Sequence, residues 1–214
     1  MKQLRFWFDV ISPYAYLAFE RLPQVLEGHS VDVRYQPVLF AGLLSHWGQK
    51  GPAEIAPKRD WTYRQVAWLA HRLAVPLQLP AQHPFNPLAL LRLGMACSGP
   101  LDTPGRWVCE QLLHHAWRGG ADATDPARFA ELVQRLQPAR DPHGDEAKAA
   151  LKDATLHAAS LGVFGVPTVE IDGRLFWGLD GLELLRGYLD GDAWFDGPEW
   201  DEAARQPLGI QRKP

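Results

Sequence analysis

Three short stretches of this 214-residue chain combine side chains suited to holding an anion, a thiolate above all. The first is Asp9-Val10-Ile11-Ser12-Pro13-Tyr14-Ala15. Serine followed by proline places a hydroxyl at a helix N-cap and proline at the first helical position. The unpaired N–H groups and the helix dipole at that end favour negative charge. Where disulfide-exchange proteins carry two cysteines around two spacer residues, this chain has Ser12-Pro13-Tyr14-Ala15, with no sulfur to attack or resolve. Dithiol exchange is therefore excluded. The second stretch is Phe164-Gly165-Val166-Pro167-Thr168. It is either a plain loop or a turn whose Val166 backbone offers a free N–H and C=O to an extended peptide. The third is Phe176-Trp177-Gly178-Leu179-Asp180-Gly181. Here Asp180 either caps a helix or, with the helix N-terminal amides, grips the amino and carboxylate ends of a γ-glutamyl group.

The surrounding pattern says how these stretches meet. Residues 3–9 are a short aromatic and apolar run, a buried strand. A helix is predicted from Pro13 to about Leu26, kinked at Pro23. Residues 31–37 alternate as a half-buried strand does, completing a βαβ unit. Helical spacing then dominates, with segments opening at Asp60, at Asn86-Pro87 (ending near Gly99), at 105–118, at Asp125-Pro126 and over 144–161. Strand character returns in 167–171 and 174–177, joined by Asp172-Gly173, a strong hairpin signal. A last helix is expected from Gly181 to Leu189. The Pro-, Gly- and Trp-rich tail from Gly191, including Pro207-Leu208-Gly209-Ile210, lacks periodicity and either closes the pocket or packs on the surface.

This order predicts an α/β, thioredoxin-like fold with an inserted all-helical domain. Residues 1–39 and 144–190 form the discontinuous thioredoxin-like part, 40–143 the insertion and 191–214 the tail. In that topology the loop at Val166 faces the N-terminus of the first helix, bringing Ser12 and Val166 together.

Composition narrows the function classes. A formal net charge of −3 disfavours nucleic acid or an anionic membrane as the main partner. Asp9 and Pro13 interrupt the apolar N-terminus, so it does not read as a secretory signal, and no uninterrupted apolar run is long enough to span a bilayer. Cys97 and Cys109 are spaced as neither a redox pair nor a zinc site, so no metal is expected and a cytoplasmic compartment fits. Both cysteines are expected to be buried small hydrophobes. Of the nine tryptophans, Trp61, Trp68, Trp107 and Trp117 fall in helical patterns and are expected to pack in the core.

In Phe8-Asp9, Ser12-Pro13-Tyr14, Tyr16-Leu17-Ala18, Phe164-Gly165-Val166-Pro167-Thr168 and Trp177-Gly178 with Asp180, the chain resembles the 2-hydroxychromene-2-carboxylate isomerases and the related kappa-class glutathione transferases, within the DsbA-like thioredoxin superfamily. The resemblance implies glutathione as cofactor, with Ser12 donating a hydrogen bond to its sulfur. It further implies that Val166, before a cis Pro167, pairs with the cysteinyl backbone, and that Gly178, Leu179 and Asp180 hold the γ-glutamyl end. The family's Gly-Asn pair reads Gly48-Gln49 here, which lengthens the amide's reach, and Lys58 stands near the family's lysine. Gly181 replaces a frequent arginine, a cation for which Arg59 and Arg64 are the candidate substitutes. His83, Phe85 and Asn86 fall where isomerase relatives contact the organic substrate, with Gln49 beside them and His46 and Trp47 as weaker candidates. A small aromatic substrate and a homodimer are implied as partners, without nucleic acid or membrane. Three functions follow: glutathione-dependent isomerisation, kappa-like glutathione transfer, or non-catalytic binding of a thiol peptide.

Overall fold

The β1 strand (Lys2–Phe8) is exposed at Lys2 and Gln3, but its second half, Phe6 to Phe8, is buried on both faces, which is why that half reads as an apolar run. Leu4, Phe6 and Phe8 enter a large core, whereas Trp7 enters a smaller one with Val38, Leu43, Ala158 and Val163. The computed structural model of the chain describes residues 1–98, 103–207 and 209. After β1 come α1 (Pro13–Val25), β2 (Val31–Pro37) and α2 (Phe40–His46), then a 3₁₀ turn at Pro52–Glu54. The helical block continues with α3 (Ala56–Leu73), α4 (Leu88–Ala96), α5 (Arg106–Trp117) and α6 (Pro126–Leu136). The chain returns through α7 (Asp145–Ser160) to β3 (Thr168–Ile171), β4 (Arg174–Trp177) and α8 (Gly181–Leu189).

The sheet order is β2-β1-β3-β4, with β1 and β2 parallel and the remaining pairs antiparallel. This is the α/β thioredoxin-type arrangement expected from the element order. Asp172 (φ 51°) and Gly173 (φ 76°) both adopt the left-handed backbone that a two-residue hairpin demands. One apolar cluster links the sheet to the helical block, joining Phe6 and Leu17 to Leu91, Leu112 and Trp117. We propose the division into 1–39 with 144–190 and an inserted 40–143 as two parts sharing that core.

Several expectations need correction. The helix α2 was not legible, and α3 opens at Ala56 rather than Asp60. The expected end of α4 near Gly99 lies outside the described residues, as do Leu208 and Ile210. Helix α1, by contrast, ends at Val25 with Leu26 as its C-cap and holds Pro23 inside it, as its expected span required. Trp117 is fully buried, but Trp61, Trp68 and Trp107 are more than half exposed. Helical spacing says which residues share a face, not which face the core takes; α3 buries Val66 and Ala70, and Trp68 instead meets Arg72 across its ring. Cys109 is buried and Cys97 half-buried, with burial pushing the Cys97 thiol up to about 11. No helix among the described residues is long and apolar enough to cross a membrane.

The tail, expected to lack regular structure, forms a 3₁₀ turn at Ala193–Phe195 and a short helix, α9 (Glu199–Ala203). Its Phe195 is buried against Phe176 and Tyr188, and Trp200 packs at 5.5 Å from both Phe176 and Phe195. Arg174 crosses this aromatic group, donating to the Phe195 carbonyl at 3.0 Å. The cluster covers the outer part of β4, just before Trp177. Phe195→Ala is expected to cost about 3–5 kcal/mol of stability, the range for emptying a buried phenylalanine. Urea denaturation measures it, and a loss below about 1 kcal/mol would show the tail to be a surface appendage.

Candidate functional site

Beyond Phe8 the chain turns through Asp9–Ile11 and enters α1 at Ser12, whose backbone is extended (φ −90°, ψ 115°). The Ser12 Oγ accepts from Ala15 N at 3.2 Å, so it caps the helix as its sequence position suggests. The same hydroxyl donates to the Val166 carbonyl at 3.3 Å, joining segments separated by 154 residues. Ser12 and Val166 are thus direct neighbours. The Val166–Pro167 bond is cis. Contrary to expectation, the Val166 carbonyl is not free, since Ser12 occupies it. Its N–H, by contrast, has no acceptor among the described residues.

Around this junction opens a cavity of about 1370 Å³, above the usual range of about 300–1,000 Å³ for a single ligand pocket. Ser12, Val166 and Pro167 line it, with Lys58 from α3 and Gln49 from the link after α2. The β4–α8 link contributes Gly178, Leu179 and Asp180, and the helical block adds His83 and Phe85. Phe164 and Trp177 form an aromatic wall, their rings 4.9 Å apart. Gly165 is needed there, because a methyl group would come within 2.6 Å of Trp177 Nε1. Gly178 is needed too: its φ is 89°, and a β-carbon would run into the Asp180 carboxylate. Asp180 stands at the N-cap position of α8, as expected, but its carboxylate makes no capping bond there.

Other candidates are not brought together. Asn86 does not line the cavity; its Oδ1 accepts from Leu88 N at 3.0 Å, so it shapes the entry to α4. Trp47 donates to the Val163 carbonyl at 3.0 Å with the His46 ring edge-to-face against it, and neither reaches the cavity lining. Arg59 lies 3.5 Å from Asp60, and neither it nor Arg64 lines the cavity to replace the cation absent at Gly181. His83 does line it, but both ring nitrogens are engaged, Nε2 with the Ile11 carbonyl and Nδ1 with Tyr63 Oη, each at 2.8 Å. No ring nitrogen remains for a substrate, and the imidazole is half-buried with its pKa lowered by that burial.

Some residues of the site were not singled out by the sequence. From α3, Thr62 and Gln65 join the expected Lys58 in one stripe facing the cavity, a spacing visible once the helix start is known. Tyr14 donates to Gln65 Oε1 at 2.6 Å; burial raises its phenol pKa, and the nearby Asp180 charge adds to the effect. Asp9 is fully buried, and its carboxylate accepts from Ile11 N at 3.0 Å and Phe40 N at 2.8 Å. In the sequence Asp9 closes an apolar strand and stands in the family motif, but neither signal gives it a role. Among the described residues no cluster of three metal-binding side chains occurs.

The family model described as "DSBA-like thioredoxin domain" matches residues 3–190. The chain is 26% identical over 212 residues to "Glutathione S-transferase kappa 1" of Rattus norvegicus, covering 91% of this chain and 93% of that protein. It is 28% identical over 201 residues to "2-hydroxychromene-2-carboxylate isomerase" of Sphingobium xenophagum, covering 88% and 98%. A solved 2-hydroxychromene-2-carboxylate isomerase superposes with a TM-score of 0.74 at 21% identity, over 96% of this chain and all of the other, a likeness of fold.

Burial pushes the Asp9 carboxyl up to about 7, against the two backbone N–H groups that favour its charge. Its folded pKa therefore lies above its unfolded one, so the native state holds a proton that the unfolded chain gives up. Stability from this group is complete below about pH 4, falls as pH rises, and is gone above about pH 7. Asp9→Asn is expected to flatten that decline while costing about 1–3 kcal/mol, because its amide nitrogen cannot accept both N–H groups. Urea midpoints at several pH values compare the slopes; an unchanged slope would remove Asp9 as its source.

Proposed function

Because the chain belongs to the DsbA-like thioredoxin family yet carries serine where its redox members carry cysteine, we propose that it is a glutathione-dependent isomerase. Its substrate would be an aromatic keto acid of the 2-hydroxychromene-2-carboxylate or benzylidenepyruvate type. The observation that carries this reading is the meeting of Ser12 Oγ and the Val166 backbone in one large cleft at a helix N-terminus. Relatives matched over most of the chain bear the isomerase name and the kappa transferase name, which supports the glutathione-dependent class.

The residues present suit the tripeptide. Val166 has an N–H without an acceptor among the described residues, as pairing with an extended peptide backbone requires. Asp180 is free of capping duty and offers its carboxylate to an α-amino group. Lys58, which makes no ion pair among the described residues, offers a cation to a carboxylate, and Gln49 adds an amide. The chemistry a bound glutathione supplies is reversible thiolate addition to a conjugated carbon, rotation about the former double bond, and elimination that returns the tripeptide.

Ser12 favours the thiolate by hydrogen bonding, alongside the N-terminal amides of α1. Its proton sits in a bond of 3.3 Å to the Val166 carbonyl, long for an O–H donor, so turning it toward a sulfur sacrifices little. A hydroxyl also forms no mixed disulfide with the cofactor. Ile11, Phe40, Phe85 and Phe164 supply apolar walls on which an aromatic ring packs and from which water is displaced.

Two measurements test this proposal. Ser12→Ala is expected to raise the pKa of the bound thiol and to cut turnover by about tenfold or more, at least about 1.4 kcal/mol of barrier. Turnover equal to that of the parent would take Ser12 out of the mechanism. Following free glutathione during reaction separates the transferase reading, since an isomerase returns the tripeptide and a transferase consumes it in proportion to product. Calorimetry showing no affinity for glutathione at millimolar concentration would overturn the glutathione-dependent reading and favour a non-catalytic binding module.

A further inference from the structure

The two peptide units that lead into Ser12 are each held at both ends. In the Val10–Ile11 unit, the carbonyl accepts from Trp117 Nε1 at 2.8 Å and the N–H donates to Asp9 Oδ1 at 3.0 Å. In the Ile11–Ser12 unit, the carbonyl lies 2.8 Å from His83 Nε2 and the N–H donates to the Asp9 carbonyl at 3.1 Å. A peptide unit is planar, so fixing its oxygen and its nitrogen fixes the whole plane. Both ring donors come from the helical block, and both holds on N–H come from Asp9.

The tautomer of His83 follows from its partners. A carbonyl only accepts, so Nε2 carries the proton toward Ile11. The other nitrogen, Nδ1, must then accept, and Tyr63 Oη stands 2.8 Å away, its one proton shared between Nδ1 and the His83 carbonyl at 3.0 Å. The ring is seated between aromatic neighbours, with centroids at 5.4 Å to Trp117, 5.5 Å to Tyr63 and 5.9 Å to Phe85. Orientation and tautomer are thus set by contacts within the protein, as for a ring whose task is to hold something else in place.

We propose that His83 is a positioning residue: through Nε2–H it locks the Ile11–Ser12 peptide plane and so aims the Ser12 hydroxyl at the bound thiol. This rests on the glutathione reading above and reassigns His83 from substrate contact to support of the nucleophile's partner. A small misplacement of a hydrogen-bond donor weakens it steeply, so loss of the lock appears first in the thiol's acidity.

The test is a titration of bound glutathione by ultraviolet thiolate absorbance, paired with steady-state kinetics, on the full chain. His83→Phe keeps the ring volume and removes the donor; it is expected to raise the thiol pKa by about one unit and lower kcat roughly tenfold, with the organic substrate's KM within about twofold. His83→Gln, whose amide nitrogen reaches near the Nε2 position, is expected to restore most of both. Should the phenylalanine variant fail to fold, His83→Asn, whose amide stops short of Ile11, replaces it with the same expected shift. A raised organic-substrate KM with an unmoved thiol pKa would show direct substrate contact and overturn the proposal. So would an unmoved pKa and kcat, or a glutamine variant no better than phenylalanine. A wild-type protein that binds no glutathione would instead overturn the functional reading itself, and the two failures are told apart in the parent protein.

Discussion

A single hydroxyl bridges the two halves of this chain, and the site is built around holding it. Ser12 Oγ accepts a helical N–H from Ala15 and donates to the Val166 carbonyl, so one side chain terminates α1 and touches the loop before β3. Both partners are backbone groups, and their positions are set by the sheet, since β1 pairs with β3 only a few residues away. The register that places Trp7 opposite Thr168 therefore also places Ser12 against Val166. A slip of that pairing would reverse the faces of Phe6 and Trp7, which belong to separate cores, and would part the two site segments together.

Serine in this position changes what the thioredoxin-type scaffold does with the field at the start of its first helix. The unpaired N–H groups of the first turn stabilise an anion whoever brings it. With cysteine, the protein supplies the sulfur; with serine, under the proposed function, the same field would act on a sulfur that arrives with a ligand. The cleft agrees with that inversion. It is larger than one small molecule requires, has beside the hydroxyl a backbone N–H with no acceptor among the described residues, and is lined by both a cation, Lys58, and a carboxylate, Asp180. Neither cysteine takes part, for Cys109 is buried and burial drives both thiols away from ionisation.

The helical block does more than roof the cleft. Its α3 presents Lys58, Thr62 and Gln65 to the cavity, while His83 and Trp117 reach the turn before Ser12. Asp9 ties that same turn to the start of α2, whose far end leads to Gln49. The β1–α1 turn is therefore fastened to the helical block from several directions. A hydrogen bond directed at a sulfur needs such rigidity, because its strength falls quickly with angle and distance.

Local chemistry and periodicity were enough to establish the order of elements, the hairpin at Asp172-Gly173, the serine-capped start of α1 and the convergence of the segments around residues 12 and 166. These depend on neighbours a few residues apart or on one rule of topology, and such information lies along the chain. Short α2 escaped because seven residues hold too few turns to show a period, and the tail escaped because its order comes from Phe195 and Trp200 meeting β4 rather than from its own pattern. The surface position of Trp61, Trp68 and Trp107 was hidden for a related reason: spacing defines a stripe but not the partner it faces. Only the tertiary structure decided that Asn86 turns to its own helix, that His83 spends both nitrogens inside the protein, and that Asp9 joins two elements. Hydrogen bonds between residues 31 to 107 positions apart are made by the packed fold, and no local pattern encodes them.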